Sequence, residues 1–268
     1  MAKQLTDLKR DAIALGCRCD VCPLYEAEGP VFPEQHPGAE IVLVGDAPAI
    51  QEVRERRPFV GPAGNLLMKA VKAAGLRRND IHWTNLLLCR PPENDLSRVL
   101  EVTKRKNRQI EKANKERLKD AKEAAHQAIR AGSKPVGLDD VPLVPLIPTP
   151  MQCCAPRLDK EMEQFSQVIP VGSYAIKQVV GKGAKIFELR GSPVTVERGD
   201  REVKMLPTLH PSFVMRNLRW DHVVRSDLRR AVRFFNDKMN WYPPQIHFNP
   251  TAEELLAFIT RNPVLSCD

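Results

Sequence analysis

The stretch IVLVGDAPAIQEVRERRPFVGPAGNLL, residues 41 to 67, decides the fold. Ile41-Val42-Leu43-Val44 is short, rich in β-branched residues and apolar at every position, the pattern of a central strand in a parallel sheet covered by helices on both faces. The Gly45-Asp46-Ala47-Pro48 turn then falls at the sheet's carboxyl edge, where open α/β sheets bind their ligands. Asp46 in that place reads either as a catalytic carboxylate or as a turn and helix-capping residue. Further on, Arg57-Pro58-Phe59-Val60-Gly61-Pro62-Ala63-Gly64 sets two glycines around a proline at the start of a helix, so that backbone N–H groups can approach a phosphate or an oxyanion closely. Phe59 reads as core or as a wall of the same pocket.

Working outward, Ile81-His82-Trp83-Thr84-Asn85 reads as a second strand that runs through Leu86-Leu87-Leu88 into a Cys89-Arg90-Pro91-Pro92 turn. Asn85 is a polar amide among apolar strand residues, and its paired donor and acceptor suit the edge of a planar base. A third strand is expected over Met205-Leu206-Pro207-Thr208-Leu209, ending in His210-Pro211-Ser212, which places a histidine at a strand end before a rigid proline. Helices are expected over Asp159 to Val168, Ser173 to Val180 and Arg219 to Phe235, with a short strand at Val168 to Gly172 and a Gly191-Ser192-Pro193 turn between Ile186 to Arg190 and Val194 to Glu197. The fold class is α/β, with a mostly parallel central sheet flanked by helices.

The 268 residues include seven cysteines. Cys19-x-x-Cys22 has chelating spacing, Cys89 precedes a Pro-Pro turn, and Cys153-Cys154 opens a helix, so thiolates from separate segments suit a tetrahedral zinc or a [4Fe–4S] cluster. The start, Met1-Ala-Lys-Gln-Leu, carries no apolar stretch, so a reducing, cytoplasmic location is expected, in which disulfides do not persist. The net charge of +8 calls for a polyanionic partner, and no window approaches the apolar length of a membrane span, so the expected partner is nucleic acid and not a membrane.

Much of that charge lies between Pro92 and Cys153. From Glu101 to Lys134 there are eleven Lys/Arg against five Asp/Glu. Alanine, lysine and glutamate favour helix, while the apolar residues are too sparse for a continuous buried stripe, which predicts an exposed basic helix or helical hairpin. Val136 to Pro150 holds four prolines and reads as an extended return strap. The insertion, about 97–150, is either a DNA- or partner-binding arm or a solvated helix.

Six blocks, in order, resemble family 4 uracil-DNA glycosylases, the iron–sulfur members of that superfamily. They are Cys19-x-x-Cys22-Pro23-Leu24, Gly45-Asp46-Ala47-Pro48 with Arg57 to Gly64, Thr84-Asn85 through Cys89-Arg90-Pro91-Pro92, Cys154-Ala155-Pro156-Arg157-Leu158, Leu189-Arg190-Gly191 and His210-Pro211-Ser212. The resemblance implies a glycosylase domain over residues 1–240 that hydrolyses the N-glycosidic bond of deoxyuridine in DNA during base excision repair. It assigns a [4Fe–4S] cluster to Cys19, Cys22, Cys89 and Cys154, with Cys17 an alternative ligand. It makes Asp46 and His210 catalytic, places Ala47, Phe59 and Asn85 around the uracil, and sets Gly61, Gly64, Arg190, Ser212 and Arg216 against the DNA. Two departures stand out: the family usually has glutamate at Asp46 and glycine at Ala49. They leave a competing reading open, a weak or inactive module that binds DNA or template uracil for a linked polymerase.

After Trp241-Tyr242-Pro243-Pro244 a new pattern begins, with a strand at Ile246-His247-Phe248, a capped helix from Thr251 and a strand at Val264 to Asp268. This resembles the opening of a 3′–5′ exonuclease domain attached to family A DNA polymerases. Residues 241–268 are therefore expected to be a linker and the start of a covalently attached exonuclease or polymerase region.

Overall fold

The computed structural model describes residues 7–134, 137–239 and 251–261. The chain divides into two compact units, Met1–Asp237 and Lys238–Asp268. The first is built on five strands, β1 (Ile41–Gly45), β2 (Ile81–Asn85), β3 (Gln167–Pro170), β4 (Val194–Arg198) and β5 (Arg201–Met205), in the order β2-β1-β3-β5-β4. The first four in that order are parallel, and β4 pairs antiparallel with β5 at the edge.

The helices of this unit are α1 (Asp7–Ala14), α2 (Ile50–Glu55), α3 (Pro62–Ala73), α4 (Leu96–Arg130), α5 (Pro150–Met162), α6 (Ser173–Val179), α7 (Ile186–Leu189), α8 (Pro211–Arg216) and α9 (Asp221–Phe235). Successive strand residues point to opposite faces, so the apolar run of β1 serves two cores. Val42 and Val44 pack with Ala12 of α1, Leu158 of α5 and Ala175 of α6. Ile41 and Leu43 pack on the other side with Leu67 and Val71 of α3 and Val224 and Leu228 of α9. The doubly wound architecture expected for residues 41 to 44 is the one observed.

Several boundaries differ from those read in the sequence, each for a local reason. The helix expected over Asp159 to Val168 starts at Pro150, where Thr149 caps the Gln152 N–H at 3.3 Å and receives the Gln152 side chain in return. It ends at Met162, and Val168 belongs to β3. The third strand stops at Met205, because Pro207 has no N–H to continue the ladder. Beyond it the chain stays alongside β3 through a Val171 to Thr208 bridge.

The insertion is one helix of 35 residues, α4, rather than a hairpin, with Asp95 as its cap. The strap after it returns along the helix and is held by polar contacts in place of an apolar stripe. Asn107 and the Ile147 backbone exchange two hydrogen bonds, at 2.9 and 2.8 Å. Asn114 and the Val144 backbone do the same, at 2.8 and 2.9 Å. In the second unit, α10 (Ala252–Arg261) starts at Thr251, whose hydroxyl accepts from the Glu254 N–H at 3.3 Å. The strands expected at 246–248 and 264–268 lie outside the described residues. Among the described residues no helix is long and apolar enough to cross a membrane.

One buried polar network crosses the first core. Arg157 on α5 donates to Thr84 Oγ1 at 2.9 Å, to the Asn85 carbonyl at 2.6 Å and to the Leu86 carbonyl at 3.1 Å. It also pairs with Glu161, which in turn meets His82 of β2. Removing one member of such a set leaves an uncompensated buried charge, so Arg157→Leu is expected to lower stability by about 3–5 kcal/mol. The urea midpoint of the variant measures this, and a shift worth less than about 1 kcal/mol would contradict it.

Candidate active site

Four parallel strands end at the same edge, and each delivers a residue of the site. Asp46 follows β1, Asn85 closes β2, Gly172 follows β3, and His210 lies at the end of the segment after β5. Together they border a cavity of about 420 Å³, which also takes in Ala47, Glu52 and Phe59. The structure thus brings together the five residues that the sequence singled out as catalytic or base-binding.

Asp46 is fixed by the start of α6. Its Oδ1 accepts from the Tyr174 N–H at 3.1 Å and the Ala175 N–H at 2.7 Å. The capping and catalytic readings therefore meet in one residue, since Oδ1 is committed to the helix while Oδ2 has no partner among the described residues. Gly172 makes this approach feasible, because a Cβ there would stand 2.6 Å from Oδ2. Burial pushes the Asp46 carboxyl up to about 6, and the two amide donors offset only part of that.

Asn85 is buried, yet its side-chain amide makes no hydrogen bond to any described residue and borders the cavity. Phe59 is also buried, with its ring 5.4 Å from that of Trp83, so it is a core residue and a cavity wall at once. Gly45 is what lets these two side chains approach: a Cβ on it would meet Asn85 Oδ1 at 2.3 Å and Phe59 Cζ at 2.5 Å. Phe59 takes a left-handed backbone conformation with φ of 54°, which is costly for an aromatic residue. Arg78 holds it there, donating to the Pro58 carbonyl at 2.6 Å and the Phe59 carbonyl at 3.3 Å. Glu34 pairs with Arg78 in turn; burial raises its carboxyl, but Arg57 and Arg78 outweigh that and hold it down at about 2.

His210 is held in one tautomer. The Ser212 N–H donates to His210 Nδ1 at 3.2 Å, so Nδ1 is the acceptor and the proton sits on Nε2. Burial, with the positive charge of Arg216 nearby, lowers its pKa to about 4, so the ring is neutral at pH 7. Ser212 Oγ stands 2.6 Å from the same Nδ1 and orients the imidazole, while Arg216 borders the cavity.

Arg190, expected against DNA, is tied inward by an ion pair with the buried Asp227. Asp227 also accepts from Thr208 Oγ1 at 2.9 Å, two residues before His210, so Arg190 braces the His210 segment. The glycine turn differs similarly from its expected anion-binding role. The Gly61 N–H donates to Glu52 Oε1 at 3.1 Å, and Gly64 is small because a Cβ there would stand 2.2 Å from the Phe59 carbonyl. Glu52, which also accepts from the Ala49 N–H at 3.1 Å, was not legible as a site residue: its spacing is that of a capping box, but alanine stands at the cap. Ala49 itself has an extended backbone, φ of −100°, so replacing glycine there brings no backbone strain.

A second, smaller cavity is bordered by Cys17, Cys19, Cys22, Cys89, Cys153 and Cys154. The four cysteines expected to be ligands therefore share one buried place, with Cys17 and Cys153 beside them. Among the described residues no group of three or more His, Cys, Asp or Glu is arranged to hold a single metal ion. Hydrogen bonding to Cys153 and burial push the Cys22 thiol up, hydrogen bonding to Cys17 and burial do so for Cys154, and burial raises Cys89. Lys9 Nζ is 2.9 Å from Cys89 Sγ. Hydrogen bonding to Cys17 instead holds the Cys19 thiol down; the fit to a metal cluster rests on the donor set itself, thiols from separate segments around one cavity.

The family model of the uracil DNA glycosylase superfamily matches residues 32–229. The chain is 25% identical over 234 residues to a type-4 uracil-DNA glycosylase of Sulfurisphaera tokodaii, covering 84% of this chain and 82% of the relative. It is 26% identical over 225 residues to the type-4 enzyme of Thermotoga maritima, covering 81% and 89%. A type-4 enzyme of Archaeoglobus fulgidus is 40% identical over 93 residues, 34% of this chain and 45% of that protein.

The crowding at Gly45 is directly testable. Gly45→Ala is expected to lose about 1–3 kcal/mol of stability, as overpacked cores do, whereas Gly183→Ala, where a Cβ meets nothing within 4 Å, serves as the control. Equal denaturant midpoints for the two variants would show that Gly45 is not a point of close approach.

Proposed function

The chain belongs to the uracil DNA glycosylase superfamily, and from that premise we propose that it hydrolyses the N-glycosidic bond of deoxyuridine in DNA, with the flipped base held in the cavity at the carboxyl edge of the sheet. The observation that carries this reading is the Asn85 amide, which opens onto the cavity from an otherwise buried residue and has no hydrogen-bond partner among the described residues. An amide fixed at the cavity wall with its hydrogen bonds unmade is available to a ligand, and its donor and acceptor match the O4 and N3–H edge of uracil.

The other roles are those that the resemblance implies, and the geometry is compatible with them. Phe59 gives the base an apolar face, and Ala47 leaves room beside its C5 edge. As the bond breaks, negative charge gathers on the leaving uracil and positive charge on the sugar. The neutral His210 donates its Nε2–H to uracil O2, a stabilisation realised in the transition state. Asp46, anchored through Oδ1, orients a water with Oδ2 and stabilises the sugar cation. Its side chain is one methylene shorter than the glutamate usual in the family, and the α6 amides fix where its charge sits. Arg216, at the rim, is the cation placed to meet the DNA backbone. Cys19, Cys22, Cys89 and Cys154 are the residues that would hold a [4Fe–4S] cluster, whose part would be structural, joining the segment after α1 to the turn after β2 and to α5.

Single-turnover release of uracil from a labelled oligonucleotide tests the activity. His210→Ala and Asp46→Ala are each expected to slow release by about 10²–10³-fold, the effect of removing one preorganised group. A cluster-loaded protein that binds uracil-containing DNA and releases no base would replace the enzyme by a binding module.

The acid limb follows from Asp46. Its carboxyl titrates near 6 in the folded protein and the ionised form is the active one, so the rate should fall about tenfold per pH unit below 6 and stay level above it. The raised value also means that folding is favoured by this group below pH 3.8 and loses that advantage as pH rises through 6. Asp46→Asn should therefore raise thermal stability at pH 8 while abolishing the limb; an unchanged Tm there would contradict the assignment. Anaerobic protein is expected to carry about four iron and four sulfide per chain, lost in Cys154→Ser and kept in Cys153→Ser.

A further inference from the structure

The long helix of the insertion carries a continuous line of basic residues. Lys104, Arg108, Lys112, Lys115, Lys119 and Lys122 follow one another at intervals of three or four residues, and all six are exposed. That spacing keeps them on one line of a helix with 3.6 residues per turn, and the line runs for about 27 Å. Among the described residues only Lys119 of these six has a carboxylate within reach, Glu123 at 3.7 Å. The strap does not cover this line, because it is held on another face by Asn107 and Asn114. Glu101 and Glu111 stand three or four residues from members of this line without pairing to them among the described residues, while Glu116 and Asp120 lie further round the helix. The helix therefore has a half-buried face against the strap and a ridge of uncompensated positive charge beside it.

The ridge also has a fixed relation to the site, since Asp95, Leu96 and Ser97 at the start of α4 border the cavity. Counting from Ser97 at 1.5 Å per residue, the ridge begins about 10 Å along the helix and ends about 38 Å along it. A duplex lying along the helix, at about 3.4 Å per base pair, would meet the ridge about 3 to 11 base pairs from the flipped nucleotide.

We propose that the α4 ridge is a DNA-backbone clamp that holds the duplex on one side of the target nucleotide by neutralising phosphates without reading sequence. The proposal rests on the glycosylase reading for its choice of DNA, and charge complementarity selects the occupant. Six regularly spaced cations, five of them without a carboxylate partner among the described residues, match a line of phosphates.

The test compares the full chain with a variant in which all six are replaced by glutamine, which preserves helix propensity, the fold being checked by circular dichroism. Binding is measured on a 40-base-pair duplex with a central uracil, on a short duplex with four base pairs on either side, on long duplexes extended on one side only, and on a 40-base-pair duplex without uracil. The variant is expected to bind both 40-base-pair duplexes about 100-fold more weakly at low salt, with the slope of log K against log salt reduced by three or more. The short duplex, which reaches only Lys104, should lose affinity by a few-fold at most, the uracil-release rate at saturation should not change, and only one of the two one-sided duplexes should show the large loss.

An unchanged salt slope on the long duplexes would make the ridge a solvated surface, and an equal loss on the short duplex would place its effect on the pocket; either overturns the proposal. If the unmodified protein releases no uracil while the loss on the uracil-free duplex is seen, the glycosylase reading fails and the clamp stands.

Discussion

A buried guanidinium joins the two parts of this molecule on which function depends. Arg157 sits on α5, the helix that also carries Cys153 and Cys154, and it donates to the carbonyls of Asn85 and Leu86 at the end of β2. The same side chain binds Thr84, and its charge is balanced by Glu161, which is held in turn by His82. A charge buried this deeply persists only while all its partners remain in place. The cysteine-bearing helix and the end of β2 that carries Asn85 are therefore held together by one side chain, although they are distant in sequence.

The pocket uses burial in two opposite senses. Around Asp46, burial raises the carboxyl to about 6, still low enough for a negative charge at neutral pH. Around His210, burial lowers the imidazole to about 4, so the ring stays neutral and keeps a single proton on Nε2. Two titratable groups at one strand edge are thus driven to an anion and a neutral donor, the division that a bond breaking into a sugar cation and a base anion requires. Several residues that look like ligand-binding groups serve this arrangement indirectly. Gly45, Gly64 and Gly172 provide space for Asn85, Phe59 and Asp46, while Arg190, through Asp227 and Thr208, steadies the chain leading to His210.

The insertion departs from this compact economy. A helix of 35 residues has little apolar surface to bury, and its stability comes from asparagine side chains that satisfy a strap too rich in proline to form a sheet. Fastening the strap by polar contacts on one face leaves the charged residues of the next face free for solvent or for a polyanion.

By itself the sequence determined the layering of the fold. The run Ile41 to Val44 has no polar face, so its strand had to be covered on both sides, and the turn after it had to open at the ligand-binding edge of a parallel sheet. It also determined the identities of the groups at that edge, Asp46, Asn85 and His210, because each follows a strand in a distinctive local pattern. What it could not contain was the partnering of groups brought together only by folding. Asp46 is a cap and a pocket acid at once because α6, some 130 residues later, starts against it. Arg78, Arg157 and Glu52 carry no local signature, since a guanidinium or carboxylate in a helix reads as solvated surface until the tertiary structure buries it. Gly61 and Arg190 offered donors that folding assigned to internal acceptors, because hydrogen bonds and ion pairs between residues far apart in the chain are decided by three-dimensional proximity and leave no periodic trace in sequence.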